Sequence, residues 1–232
     1  MKTTYRILVT FFCALLLLSC NAQTKTTVSP EEFDKAITKD SVQILDVRTP
    51  DEYASGHIKN TLLANWNDKA EFSRRISFVD KNKPVYIYCL AGGRSAAAAK
   101  EMRSIGYENV VELAGGINAW KAANKPLEGK MDEKQISIDA FDAAISGQTV
   151  LVDFGATWCP PCKKMEPVLK SLQNNNLNKF KLVKVDGGKD IDLLKKYAVT
   201  ALPVFIVFKN GQPVWRKDGI ATEEEMATAL QP

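Results

Sequence analysis

Two cysteines separated by two residues, Cys159 and Cys162, are the first candidates for chemistry in this sequence. They follow the apolar run 150–154, which has the length and composition of a buried strand, and a helical pattern begins near Cys159. At a helix N-terminus the unpaired N–H groups and the helix dipole favour a negative charge, so we expect the Cys159 thiol to ionise readily. Cys162 lies one turn further along, within reach of a disulfide. The pair is expected to cycle between dithiol and disulfide.

A third cysteine, Cys89, ends a run of β-branched and aromatic residues (84–89) that predicts a strand. Gly92 and Gly93 permit positive φ, so successive N–H groups can turn toward the sulfur as an anion-binding nest. Arg94 adds a positive charge beside this nest. Such a cradle stabilises a thiolate or a terminal persulfide anion, and it needs no histidine. The alternative is a buried, inert cysteine at a strand end.

Composition restricts the other classes of function. The 232 residues leave room for two domains, and 45% apolar with 25% charged residues is typical of a globular protein. The net charge of +4 and the absence of a basic run give no support to nucleic-acid binding. A zinc site at the cysteine pair needs two more ligands, and the sequence offers only Cys89 and the single histidine, His57. We therefore expect neither a metal nor a cofactor.

The N-terminus has the pattern of an export signal. Lys2 and Arg6 precede the apolar run 7–18, which is short for a membrane span. The run ends before Cys20 in a segment that resembles a bacterial lipobox. That resemblance implies lipid attachment at Cys20 and a periplasm-facing protein that touches the membrane only through its anchor, with Asn21 favouring the outer membrane. The alternative is an ordinary signal peptide with a chance cysteine.

Strands and helices alternate through the first half, which predicts a parallel α/β sheet. This half resembles a single-domain rhodanese, and the resemblance implies a persulfide carried on Cys89. The residue blocks that carry it, in chain order, are Asp46-Val47-Arg48, Glu52-Tyr53, Gly56-His57-Ile58, the loop from Cys89 to Arg94, and Gly115 to Trp120.

The loop after Cys89 departs from many rhodaneses, because Leu90 and Ala91 stand where a cationic or polar residue is common. This weakens a pocket for thiosulfate and favours an organic persulfide or polysulfide as the donor. We expect Leu90, Ala91, Gly92 and Gly93 to contact the persulfide. The loop is also one residue shorter than in related phosphatases and arsenate reductases, which favours sulfane sulfur over phosphate.

Three other residues of the rhodanese-like blocks are expected to be structural. Asp46, Arg48 and His57 lie far from the cysteine in sequence, and an ion pair and a hydrogen bond would hold the turn after the first strand. A remaining alternative is that the rhodanese fold serves here only as a binding module.

The second half resembles thioredoxin in its order of strands and helices, in a hairpin at Asn210-Gly211 and in its landmark residues. Within that resemblance, Cys159 is the exposed nucleophile and Cys162 the more buried resolving cysteine. Burial should raise the pKa of Asp153 and let it exchange a proton with Cys162; the alternative is a solvated strand-end aspartate. Trp158 and Pro203, the latter in the cis form, are expected to contact the substrate.

The sequence therefore predicts an α/β protein of two domains, a rhodanese-like parallel α/β sheet followed by a thioredoxin-like α/β sandwich. The expected segments are a signal peptide (1–19), a tether (20–27), the rhodanese-like domain (28–128), a linker (129–134) and the thioredoxin-like domain (135–232).

We expect Cys89 to carry sulfane sulfur and the Cys159/Cys162 pair to reduce it, with a membrane-bound thiol reductase restoring the dithiol. The substrate is then a sulfane-sulfur donor, or a protein that carries a disulfide or persulfide. Two alternatives stay open. The protein can be a disulfide reductase or isomerase whose rhodanese-like domain recruits substrate, or a non-enzymatic sensor of sulfide or redox state.

Overall fold

The computed structural model describes residues 25–39, 41–129, 135–175 and 180–231. The expected signal segment, the anchor residue Cys20 and most of the expected linker lie outside the described residues. Within the described part of the chain, no helix is both long enough and apolar enough to cross a bilayer. Two α/β domains follow one another, each built on its own sheet.

The first domain alternates strands and helices as predicted. In chain order its elements are β1 (Thr27–Val28), α1 (Pro30–Ile37), β2 (Gln43–Asp46), α2 (Pro50–Ala54), β3 (Thr61–Leu63), α3 (Lys69–Ile76), β4 (Val85–Tyr88), α4 (Gly93–Ser104), β5 (Val110–Leu113) and α5 (Gly116–Ala122).

These strands form a sheet in the order β1-β5-β4-β2-β3, in which every described pair is parallel. The predicted parallel sheet is therefore confirmed. Side chains alternate along β4, so that Val85 and Ile87 face the core that contains Cys89. Tyr88 faces the opposite core. Cys89 directly follows β4, at the carboxyl edge where α/β sheets place their sites.

Capping boxes begin two helices of this domain. At α1, the Ser29 hydroxyl accepts from the Glu32 N–H, and the Glu32 carboxylate accepts from the Ser29 N–H. Thr49 and Glu52 repeat the arrangement at α2, and each helix has proline in its first turn. Both boxes satisfy N–H groups that a helix start leaves open. The second box also fixes Glu52 near the end of β2.

The second domain contains the hairpin and the helix after the cysteines that the sequence predicts. Its elements are α6 (Ile138–Ile145), β6 (Thr149–Gly155), α7 (Pro160–Asn175), β7 (Lys181–Asp186), α8 (Ile191–Lys196), β8 (Val204–Lys209), β9 (Gln212–Asp218) and α9 (Glu223–Ala229). The sheet order is β7-β6-β8-β9, with β6 and β7 parallel and the other pairs antiparallel.

The sequence did not predict β1, β3 or α3. The two strands are only two and three residues long, too short to show a period. Helix α3 is mostly charged and buries few apolar side chains, chiefly Phe72 and Ile76. Its N-terminus is nevertheless fixed locally, because the Asp68 carboxylate accepts from the Glu71 N–H at 3.0 Å. Strand β3 and helix α3 form the side of the first domain that meets the second.

Candidate active site

The Cys89 loop turns backbone N–H groups toward the sulfur. Gly92 has φ of 107°, which a residue with a side chain rarely adopts, and its N–H lies 3.1 Å from Cys89 Sγ. Gly93 does not share this conformation, contrary to the prediction, because it is already the first residue of α4. Leu90 and Ala91 are exposed at the mouth of the loop, and Cys89 itself is buried.

Ser95 is a site residue that sequence reasoning missed. Its hydroxyl lies 3.4 Å from Cys89 Sγ and 3.0 Å from the Gly92 carbonyl. Burial alone would raise the pKa of the Cys89 thiol, but hydrogen bonds from the Ser95 hydroxyl and from the N–H groups of Ser95, Gly92 and Ala91 lower it below its ordinary value. The signal was available, since a serine in the first turn of a helix faces back toward the preceding loop.

Replacing Ser95 with Ala is expected to raise the pKa of the Cys89 thiol, because the Ser95 hydroxyl is one of the donors that hold this pKa below its ordinary value. A hydrogen bond to a charged group is worth about 1.5–3 kcal/mol, so alkylation of Cys89 near neutral pH should become clearly slower. The measurement is the rate of Cys89 alkylation as a function of pH. Ser104→Ala is the matched control, since the Ser104 hydroxyl bonds to the Glu101 carbonyl at the other end of the same helix. If Ser95→Ala and the wild type had the same dependence of Cys89 alkylation on pH, the Ser95 hydroxyl would not stabilise the thiolate.

Arg94 is not the free positive charge that the sequence suggests. Its guanidinium binds the Glu52 carboxylate through two hydrogen bonds of 2.7 and 2.6 Å. This contact, with the N–H and the hydroxyl of Thr49, lowers the pKa of Glu52 to about 2. The pair therefore stays ionised at neutral pH, and Glu52 offsets the charge of Arg94 near Cys89.

Gly116 permits a close approach behind the cysteine. An added Cβ at this residue would lie 2.5 Å from the Cys89 carbonyl oxygen and 2.8 Å from Leu90, and its φ is +60°. The approach lets the Ile117 and Asn118 N–H groups bond to the carbonyls of Cys89 and Leu90 at 2.9 and 3.1 Å. The start of α5 thereby holds the first two residues of the loop.

Asp46, Arg48 and His57 are structural, as expected. Arg48 forms a buried ion pair with Asp46, with contacts of 2.6–3.0 Å, and donates to the Gly56 carbonyl at 2.9 Å. His57 Nδ1 lies 3.1 Å from the Tyr53 carbonyl, and the two rings stack at 3.7 Å. Burial lowers the pKa of His57, so the ring is neutral at pH 7. These contacts hold the segment from β2 to β3.

Cys159 and Cys162 form a disulfide in this structure, with an S–S distance of 2.06 Å. The Cys162 N–H, in the first turn of α7, lies 3.3 Å from Cys159 Sγ. The expected exposures are reversed, because Cys159 is fully buried and Cys162 only partly so. The physical reason is that Cys159 packs into the core of the second domain while the adjacent Trp158 is covered by the first domain.

The Leu202–Pro203 peptide bond is cis, as predicted. Leu202 belongs to the same buried core as Cys159. We call this loop and Trp158 together the rim of the dithiol site.

Asp153 lies within β6 and is 9% exposed. Burial raises its pKa to about 6, against the opposing charge of Lys184. The predicted direction of this shift is confirmed, whereas proton exchange with Cys162 stays a prediction.

Asp153→Asn is expected to stabilise the second domain at pH 7 by about 3 kcal/mol. A carboxyl with a raised pKa binds its proton more tightly when folded, so its ionisation costs stability. This loss of folding stability is absent below about pH 3.8, the ordinary pKa of the carboxyl in the unfolded chain, and complete above about pH 6. The stabilisation by Asp153→Asn should therefore disappear as the pH falls through this window.

Denaturant-dependent hydrogen exchange of β6 measures the free energy of unfolding of this domain. The exposed Asp192→Asn is the control, and equal effects of the two changes at pH 7 would contradict the prediction.

The two sulfur centres lie toward the same end of the first sheet. The Trp158 carbonyl accepts from the Leu63 N–H at 2.7 Å, and Leu63 is in register with Asp46, which is in register with Tyr88. Two strand spacings, about 10 Å, therefore separate Leu63 from the strand that ends at Cys89. Helix α2 reaches both centres, because Glu52 binds Arg94 and Tyr53 lies 5.9 Å from the Trp158 ring.

A cleft of about 690 Å³ also opens between the domains, and Pro160, which lies between the two cysteines of the disulfide, is one of its lining residues. Its lining includes Gln43 and Asn60, at the opposite ends of the strands from Cys89, and Lys163 and Lys164 from α7. None of the three cysteines lines it, so we assign no reaction to it.

The comparisons with known proteins agree with the two-domain fold. The family model "Rhodanese-like domain" matches residues 29–123, and the model "Thioredoxin" matches residues 133–232. A thioredoxin of Staphylococcus aureus is 40% identical over 90 residues, covering 39% of this chain and 86% of that protein. The chain belongs to the thioredoxin family.

Other relatives match one half or the other. The chloroplastic thioredoxin Y of rice is 33% identical over 124 residues, which covers 53% of this chain and 74% of that protein. The crystal structure of a rhodanese-like domain protein from S. aureus is 31% identical and covers 45% of this chain and 98% of that one, with a TM-score of 0.40. The chain is a rhodanese-like domain followed by a thioredoxin domain, and its function is thiol redox chemistry of the thioredoxin kind.

Proposed function

We propose that this protein reduces sulfane sulfur, with Cys89 as the sulfur carrier and the Cys159/Cys162 dithiol as the reductant. The observation that carries the proposal is the cradle at Cys89. N–H and hydroxyl donors converge on a buried sulfur and lower its pKa. The same donors would stabilise the terminal anion of a persulfide.

The proposed reaction has three steps. The Cys89 thiolate takes the outer sulfur of a persulfide donor and releases the donor as a thiol. The Cys159 thiolate attacks the outer sulfur of the Cys89 persulfide, breaks the S–S bond and regenerates the Cys89 thiolate. The Cys162 thiolate then attacks Cys159, expels hydrosulfide and forms the disulfide. Two electrons from the dithiol reduce one sulfur atom, and Asp153 accepts the proton that Cys162 releases.

The reaction requires partners and a location that we also propose. A membrane-bound thiol reductase returns two electrons to the disulfide after each cycle. The chain is exported and anchored by a lipid on Cys20, so both domains work at a membrane surface in the periplasm. The donor is an organic persulfide or polysulfide, in agreement with the offset charge of Arg94 at the mouth.

Trapping the persulfide tests the proposal. The double variant Cys159→Ser/Cys162→Ser is incubated with inorganic polysulfide and analysed by intact mass and peptide mapping. We expect an added sulfur, about 32 Da, on Cys89, whereas the reduced wild type releases hydrosulfide and forms its disulfide. Addition of the reduced wild-type protein to the same donor is the reference. A double variant that takes up no sulfur at Cys89 would contradict the proposal.

A further inference from the structure

The active-site rim of the thioredoxin domain is covered by the first domain through contacts to both of its backbone segments. On one side, the Trp158 carbonyl accepts from the Leu63 N–H of the edge strand β3 at 2.7 Å. On the other side, the Leu202 carbonyl, directly before the cis Pro203, accepts from Arg74 Nη2 at 3.1 Å. The carbonyl before Cys159 and the carbonyl before the cis proline are thus both bound by donors from the same domain.

The Trp158 side chain is held by the same surface. Its ring lies 5.9 Å from the Tyr53 ring, and the Arg75 guanidinium lies 4.9 Å from its centre. Arg75 is itself fixed, because it donates to the Leu63 carbonyl at 2.9 Å and pairs with Glu71. Arg74 also binds Glu71, at 2.7 and 3.0 Å. The donors are therefore positioned before the second domain meets them.

An edge strand with outward N–H groups is a surface on which another chain can pair. Directly after β3 the Ala64 N–H bonds inward to the Asp46 carbonyl at 2.9 Å, whereas the Leu63 N–H, the last of the strand, bonds outward to the Trp158 carbonyl. The edge of β3 thus binds the rim through its backbone, as the backbone of an extended protein substrate would.

We infer that β3 and α3 are a docking surface for the thioredoxin domain's own active-site rim, and that protein substrates must displace them to reach the disulfide. Small thiols and persulfides should reach the disulfide with a smaller separation of the rim from β3 and α3 than a protein substrate requires. The inference rests on the thiol redox part of the proposed function and not on sulfur transfer through Cys89.

The test compares two reductants of the Cys159–Cys162 disulfide in the full chain. The rate of reduction by dithiothreitol and by a pre-reduced protein dithiol is measured by trapping free thiols at timed intervals. In Arg74→Ala we expect the ratio of the protein rate to the dithiothreitol rate to rise about tenfold, the effect of losing one charged hydrogen bond. Taking the ratio cancels any change in the reactivity of the disulfide itself.

Arg103→Ala is the matched control, because Arg103 is 32% exposed beside 35% for Arg74 and bonds only within the first domain, to Glu112 and Val110. Its ratio should equal that of the wild type. A second measurement is hydrogen exchange at the Leu63 amide, which should be slow in the wild type and faster in Arg74→Ala. Equal ratios in Arg74→Ala and the wild type, or a Leu63 amide that exchanges in the wild type as fast as exposed loop amides, would overturn the inference. Neither result bears on persulfide trapping at Cys89.

Discussion

Cys89→Ser is expected to reduce the release of hydrosulfide from a polysulfide donor by about a hundredfold, because in the proposed reaction Cys89 is the covalent carrier of the sulfur. The residual rate is that of the dithiol reacting with the donor directly. Serine keeps the size of the side chain but offers no thiolate to the donors from Gly92 and Ser95. The measurement is the initial rate of hydrosulfide release with the reduced full chain and limiting donor.

The same variant supplies its own control. Reduction of insulin disulfides depends on Cys159 and Cys162, so Cys89→Ser should retain that activity within about twofold. Cys159→Ser should lose both activities. If Cys89→Ser left hydrosulfide release unchanged, the two centres would not be coupled, and the protein would be a disulfide reductase in which the rhodanese-like domain has another role.

The largest effect on stability is expected at the buried ion pair of Asp46 and Arg48. Arg48 is 1% exposed and Asp46 is fully buried. Arg48→Met leaves an unpaired carboxylate at the end of β2 and should destabilise the first domain by about 3–5 kcal/mol. Burial already raises the pKa of Asp46 against the pull of Arg48, so loss of the guanidinium removes what keeps the carboxylate ionised. Denaturant-dependent hydrogen exchange of β2 and β4 measures the change for this domain alone.

An exposed pair of the same type serves as the control. Arg216 and Asp218 have side-chain exposures of 36% and 63% and form contacts of 2.7 and 2.9 Å. Arg216 also donates to the Tyr197 and Ala198 carbonyls at 2.6 and 3.2 Å. Arg216→Met should nevertheless cost the second domain no more than about 1–2 kcal/mol, because these contacts are exposed and water screens and replaces them. The double change Asp46→Asn/Arg48→Met should cost less than Arg48→Met alone. Equal costs for Arg48→Met and Arg216→Met would show that the buried pair has no special role.

The closed arrangement of the two domains has a consequence for the proposed relay. Cys89 and the disulfide lie toward the same end of the first sheet, but Cys159 is buried and the adjacent Trp158 is bound to β3. We therefore expect sulfur transfer from Cys89 to Cys159 to require that the rim leave β3 and α3. Reduction of the disulfide, arrival of a persulfide at Cys89, or both, must favour that opening if the relay operates. A faster hydrogen exchange of the Leu63 amide in the reduced protein than in the oxidised protein would report this opening directly.

Local patterns were sufficient to predict most of the elements and both cysteine centres. The capping boxes at Ser29 and Thr49, the strand before Cys89 and the hairpin at Asn210 depend on interactions between residues close in sequence. The burial of Asp153 follows from its apolar neighbours in β6. Where the nearest residues decide the conformation, the sequence alone was enough.

Tertiary structure decided how the two sites are charged and covered. Glu52 offsets Arg94 across 42 residues of chain, and Arg74 binds the Leu202 carbonyl across 128. No periodicity or motif encodes such pairs, since each depends on which elements the fold brings side by side. Strand β3 and helix α3, too short or too polar to be predicted, form the surface that covers the rim beside Cys159. The sequence by itself determined the chemistry of the two cysteine centres, and only the tertiary structure determined their access, because access depends on contacts between residues that are distant in the chain.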